Sequence, residues 1–272
     1  MPVLSLKKSI PMPSNDVLKI RIENHICLLT LNRPEARNAL SEELSLALVE
    51  AVLEADENPD VFMIAITGAG DKAFCSGADL REAHQRAESG KVVRGPLHSP
   101  RRVMTEVLID AKKPSLAIVN GPALAGGFEI ALACDLRVAV DDTFFGLPEA
   151  KRGRGAHFAS VVLPQMIPPA IAMEWLYTAR RIPVEEAARY GLVNRVVPRA
   201  KLMDTAMELA SEVVSSAPLS LQRMKLTFRK THGMPLNSAI RLDTGPDTYA
   251  TEDQKEGTRA FLEKRAPVWR GR

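Results

Sequence analysis

Two carboxylates and two glycine-bearing turns are the residues of this chain best suited to chemistry. Glu129 closes the stretch GPALAGGFE (121–129), and Glu149 follows 20 residues later in FFGLPEAKRG (144–153). Paired carboxylates move protons to and from carbon or water, one as acid while the other is base. Gly126 and Gly127 stand where an apolar strand hands over to a helix. The first N–H groups of a helix lack intrahelical partners and lie at its electropositive end, so a glycine turn opens them to an anion or a polarised carbonyl. AFCSGADLRE (73–82) has the same character, with Ser76, Gly77 and Ala78 leading into a helix capped by Asp79. Two backbone donors converging on one oxygen make an oxyanion hole. Each feature also has a plain structural account. The glycine pair suits close helix–strand packing, Glu129 suits a helix N-terminal charge, and Glu149 suits an ion pair with Lys151 or Arg152.

The elements that must position these groups follow from periodicity. VLKIRIENHICLLTLN (17–32) reads as two short strands around a Glu23-Asn24 turn. Ser41 caps a helix with a Leu44, Leu48, Val52 stripe. VFMIAITG (61–68) and SLAIVN (115–120) are continuous apolar runs, the pattern of strands buried on both faces, and LRVAV (136–140) adds another. Strand–helix alternation gives an α/β fold with parallel strands, which places both glycine turns at neighbouring strand ends, where such folds bind ligands. From about residue 200 only helices are expected, in KLMDTAMELASEVVSS, SLQRMKLTFRK, LNSAIRLDT and QKEGTRAFLEKR. Three segments result: a loose extension over 1–17, an α/β core over 18–199 and a helical region over 200–272. About 70 residues of helix bury little core alone, so this region must pack on the body or on another subunit.

Composition narrows the class. Of 272 residues, 46% are hydrophobic and 25% charged, an ordinary globular balance. No apolar run approaches the roughly 20 residues of a membrane span, and the N-terminus has no signal-peptide core. A cytoplasmic protein without membrane contact is expected. Cys27, Cys75 and Cys134 are scattered and odd in number, which suits buried free thiols better than disulfides or a metal site. A net charge of +3 mildly favours a polyanionic ligand but lacks the concentrated basic face of a nucleic-acid binder.

LNRPEARNAL (31–40), ITGAGDKAFCSGADL (66–80), NGPALAGGFEIALACDLRVA (120–139), LPEAKRG, RIPVEEAARYGLVNRVVP (181–198) and FLEKRAPVW (261–269) together resemble the crotonase, or enoyl-CoA hydratase/isomerase, superfamily. The resemblance runs from about Leu18 to Arg272. It implies a spiral of ββα units followed by helices that build a homotrimer, or a dimer of trimers, and an acyl-CoA thioester as ligand. Coenzyme A then enters as part of the substrate, with no separate cofactor and no metal. By the family pattern the N–H groups of Ala78 and Gly126 form the oxyanion hole, and Glu129 and Glu149 fall on the two catalytic carboxylates of hydratases. Substrate contacts are implied for Ala36, Arg37, Lys72, Phe74, Ser76, Gly77, Asp79, Leu80, Arg81 and Gly127. Phe261 and Lys264 match positions in the C-terminal helix that meet the ligand, often across a subunit boundary.

The resemblance weakens after LPEAKRG. Where the family has a small glycine-rich turn, this chain reads RGAHFASVVLPQMIP (154–168), bearing His157 and Phe158. His157 is either a third proton-transfer group or a packed structural histidine. Hydration of an enoyl-CoA is the expected activity. The alternatives are a double-bond isomerase or a thioester hydrolase on the same fold and, remotely, an RNA-binding homologue, for which KLTFRKTHG is the only basic stretch.

Overall fold

Alternation along the apolar runs sends the central strands' side chains into two separate cores. The computed structural model describes residues 16–89 and 102–272. The expected N-terminal extension falls almost wholly outside these residues, as does the polar stretch around GKVVRGPLHSP.

Strands β1 (Leu18–Glu23) and β2 (Ile26–Leu31) form an antiparallel hairpin. Its two-residue loop is Asn24-His25, both at positive φ (49° and 64°), one residue later than the sequence suggested. Twin left-handed residues match the twist of a tight hairpin. From β2 the sheet continues in parallel through β3 (Met63–Gly68), β4 (Ser115–Val119), β6 (Leu136–Val140) and β9 (Arg195–Val197). Every residue of β3 and β4 is buried. Ile64, Ile66, Ala117 and Val119 face the larger core, where helix α1 (Glu42–Glu57) brings Leu44, Leu48 and Val52. Ser41 caps α1, its hydroxyl accepting from Leu44 N at 3.1 Å.

Met63, Ala65, Leu116, Ile118, Val138 and Val140 face the other way, under Leu202, Ala206 and Ala210 of helix α8 (Leu202–Val214). The first C-terminal helix therefore packs on the body of the molecule. Beyond it lie α9 (Pro218–Thr231), α10 (Leu236–Ala239) and α11 (Glu252–Leu262). The helix expected across LNSAIRLDT is only the four residues of α10, and the chain leaves it at Ile240. In α9 the basic stretch is largely committed: Lys225 and Arg229 both pair with Asp135, at 2.8 and 3.2 Å.

A second, three-stranded sheet was not foreseen. It joins β5 (Ala123–Leu124), β7 (Phe144–Gly146) and β8 (Ile182–Pro183). It lies directly behind the second glycine turn, and its β7 leads straight to Glu149. Helices α2 (Leu80–Glu88), α4 (Gly126–Ala133) and α5 (His157–Met166) complete the elements that build the site. The three thiols are free and buried, and burial pushes each up to about 12.

Candidate active site

The ends of β3 and β4 bring the two glycine turns together. Cys75 pairs with Ala123 and Leu40 with Ala78 in short parallel bridges. Around Ala78, Leu40 N donates to Gly77 O at 2.8 Å and Asp79 N donates to Leu40 O at 3.0 Å, so the Ala78 N–H is directed away from that bridge. Gly126 opens α4, whose preceding residue, Ala125, donates its N–H to Gly146 O at 2.9 Å. Among the described residues no acceptor is paired with the N–H of Ala78 or Gly126.

The turns are in close contact. A Cβ placed on Gly77 would lie 2.7 Å from Ala125 Cβ and 3.3 Å from Gly126 N. Gly77 also sits at φ +85°, so glycine is needed there twice over. The adjacent glycines of α4 divide the two explanations between them. A Cβ on Gly127 would stand 2.2 Å from Cys75 O, so Gly127 is there for packing. It is buried against the first turn. Gly126 instead presents an unpaired N–H. Ala125 has φ 51° and ψ −129°, a conformation costing a non-glycine residue about 1–3 kcal/mol.

Glu129 lies in the first turn of α4, and its Oε1 accepts from Ala159 N at 3.0 Å. Ala159 is the third residue of α5, so this carboxylate caps the N-terminus of a second helix. Burial pushes its pKa up; the N–H groups of Ala159 and Phe158, and then His157, oppose that. Glu149 opens the 3-10 turn at 150–152, and its carbonyl accepts from Arg152 N and Arg154 N at 2.9 and 3.0 Å. Its pKa is also raised, first by burial and further by the Glu129 charge, while its own backbone N–H and Arg152 pull it down. Glu149 Oε2 is buried without a hydrogen-bond partner. The charge of one acid thus acts on the other, Glu129 being anchored through Oε1 and Glu149 having an oxygen to offer.

Residues 21–272 match the family model for enoyl-CoA hydratase/isomerase. The chain belongs to that family. Its fold is the crotonase fold, and its class is that of crotonase-superfamily acyl-CoA enzymes. It is 43% identical over 251 residues to carnitinyl-CoA dehydratase of Salmonella typhi, covering 90% of this chain and 94% of the relative. Among solved structures, enoyl-CoA hydratase from Mycobacterium tuberculosis H37Rv superposes with a TM-score of 0.84 at 33% identity, covering 95% of this chain and all of that one (100%). A probable enoyl-CoA hydratase/isomerase from Mycobacterium abscessus gives 0.83 at 37% identity, covering 95% and 100%.

The remaining family positions fall into three groups. Ala36 and Arg37 run beside the first turn, with Ser76 N donating to Arg37 O at 3.1 Å and Ser76 Oγ to Ala36 O at 3.5 Å. Arg37, Lys72, Leu80 and Arg81 are exposed along this edge, and the three cationic side chains pair with no described residue. The side chains of Asp79 and Phe74 have structural partners of their own. Asp79 accepts from Arg33 Nη2 at 2.9 Å, which holds its pKa down against burial, and it caps α2 at Arg81 N and Glu82 N. The Phe74 side chain is wholly buried in the larger core. Phe261 is 83% exposed in the last turn of α11. Lys264 lies past that helix at φ 55°, not within it, because α11 closes at Leu262. No hydrogen bond, ion pair or ring contact joins the side chains of Phe261 or Lys264 to the two turns. His157 is exposed at the start of α5.

Two contributors went unread in the sequence. The Ala159 amide has no side-chain signature. Asn38, buried at φ 54°, donates to Ala69 O and Ala73 O and so braces the loop leading to the first turn.

Proposed function

We propose that this protein is a hydro-lyase that adds water across the 2,3 double bond of an enoyl-CoA thioester. The observation that carries this reading is the pair of half-buried carboxylates, Glu129 and Glu149, on elements that open beside the unpaired N–H groups of Ala78 and Gly126. Burial and the neighbouring Glu129 charge both favour the protonated form of Glu149. That is the state hydration needs. A water held by the pair gives a proton to the ionised carboxylate as its oxygen bonds to Cβ. The protonated one, assigned to Glu149 by the family pattern, delivers its proton to Cα. The thioester oxygen gains enolate charge meanwhile, and the two backbone N–H groups stabilise it.

Coenzyme A enters with the substrate, and Arg37, Lys72 and Arg81 are free cations on the lip where its phosphates would lie. A homo-oligomer, trimer or dimer of trimers, is part of the same reading. Met224, Phe228, Leu236, Ile240 and Tyr249 leave large apolar side chains exposed on the C-terminal region. Phe261 and Lys264 would then meet ligand on a neighbouring subunit. The test is loss of enoyl-thioester absorbance with crotonyl-CoA and longer 2-enoyl-CoA thioesters. Turnover by the wild type that collapses in Glu149→Gln supports hydration; an inert wild type across the series overturns it.

A further inference from the structure

The loop between the two acids points to the kind of acyl group the site takes. Residues 150–156 run from Glu149 to the first turn of α5, where Phe158 and Ala159 hold Glu129. Both ends of this short bridge are held at the reacting carboxylates, and the Arg152 charge acts on Glu149. The bridge carries Lys151, Arg152 and Arg154, followed by His157, and no acid. The three cations are exposed, and none makes a side-chain hydrogen bond or ion pair with a described residue. Arg33, Arg180, Arg195, Arg199 and Arg265 pair with carboxylates, whereas Arg152 and Arg154, like Arg37 and Arg81 on the other lip, pair with none among the described residues. Gly153 and Gly155 have open space around them, so the bridge has room to adjust to a ligand.

We propose that the acyl chain carries an anionic group, such as a carboxylate, at the end remote from the thioester, and that Lys151, Arg152 and Arg154 bind it. This rests on the acyl-CoA reading above and adds the substrate class. Charge-assisted hydrogen bonds from an arginine fork suit a carboxylate, and the same cations repel an acyl group bearing a quaternary ammonium, such as a carnitinyl group. Of the three cations, Arg154 lies in the segment where this chain departs from the family pattern.

Three thioesters of matched length test the proposal: 2-hexenoyl-CoA, its ω-carboxylate 2-hexenedioyl-CoA, and an analogue ending in trimethylammonium. At low salt kcat/KM is expected to be about tenfold or more higher for the carboxylate than for the neutral chain, and lowest for the cation. In Lys151→Gln/Arg154→Gln the carboxylate-to-neutral ratio falls towards one, and added salt lowers it in the wild type. Equal rates for carboxylate and neutral chains, or preference for the cation, overturn the proposal. If none of the three is hydrated, the hydratase reading fails separately. Calorimetry with adipoyl-CoA and hexanoyl-CoA then decides the anion site: tighter adipoyl-CoA binding in the wild type alone supports it, and equal binding overturns it.

Discussion

Glu129 and Glu149 carry the same functional group on supports of opposite kind. The helix bearing Glu129 is wedged in place: Gly127 packs on Cys75 O, Phe128 stacks on Phe145 at 4.6 Å, and the carboxylate is tied to α5. The turn bearing Glu149 runs into exposed residues, with empty space around Gly153 and Gly155 and one carboxylate oxygen unpartnered. A site built this way fixes one acid and leaves the other able to follow the substrate. Close packing serves the first purpose and would defeat the second.

The sharpest way to break this contrast is to add one methyl to each support. Gly127→Ala forces a Cβ into a backbone oxygen and is expected to cost about 3 kcal/mol or more, lowering Tm by roughly 6 °C or more. Gly155→Ala meets nothing within 4 Å, and its Tm should stay within about 2 °C of wild type. Equal melting of the two variants would refute the wedge. Comparable in size is the rate effect: Glu129→Gln and Glu149→Gln should each lower kcat by about 10²–10⁴, and the double variant by little more than either, since the acids act as a unit.

Stability separates the same two substitutions. Burial holds both acids above the ordinary carboxylate range, so the folded state binds their protons more tightly than the unfolded chain does. The resulting penalty is absent at low pH, grows as pH rises through that range, and is complete above the raised pKa values. Glu149→Gln should therefore raise Tm at pH 7, with a gain that fades as the medium is acidified. Glu129→Gln should gain less, because α5 already stabilises that charge. A thermal series from pH 4 to pH 8 reads both. The smallest effect concerns the rigid side alone. Ala125→Gly relieves the positive-φ strain but adds unfolded-chain entropy, for a net gain of about 1 kcal/mol and a Tm rise of about 2–4 °C.

The parts legible in the sequence are those whose reason is local. β3 and β4 were plain as unbroken apolar runs because both faces are buried, and Ser41 announced α1 as its cap. Both acids and both glycine turns were visible because side-chain type and backbone freedom appear in the letters. Partnership across the chain was hidden. Two-residue strands such as β5 and β8 exist only because β7 runs between them. Asp79 was legible as the cap of α2, but its partner Arg33 lies 46 residues away. That the Phe74 ring completes the core was hidden as well. Gly126 and Gly127 are adjacent and identical, and only the position of Cys75 O tells their purposes apart.

The sequestered thiols have a practical corollary. Cys27, Cys75 and Cys134 lie inside the protein as neutral groups at any working pH, which shelters them from alkylating reagents. A single cysteine introduced at the exposed Lys264 would be the lone reactive handle, so a fluorophore coupled there could report on assembly without first stripping the native sulfurs.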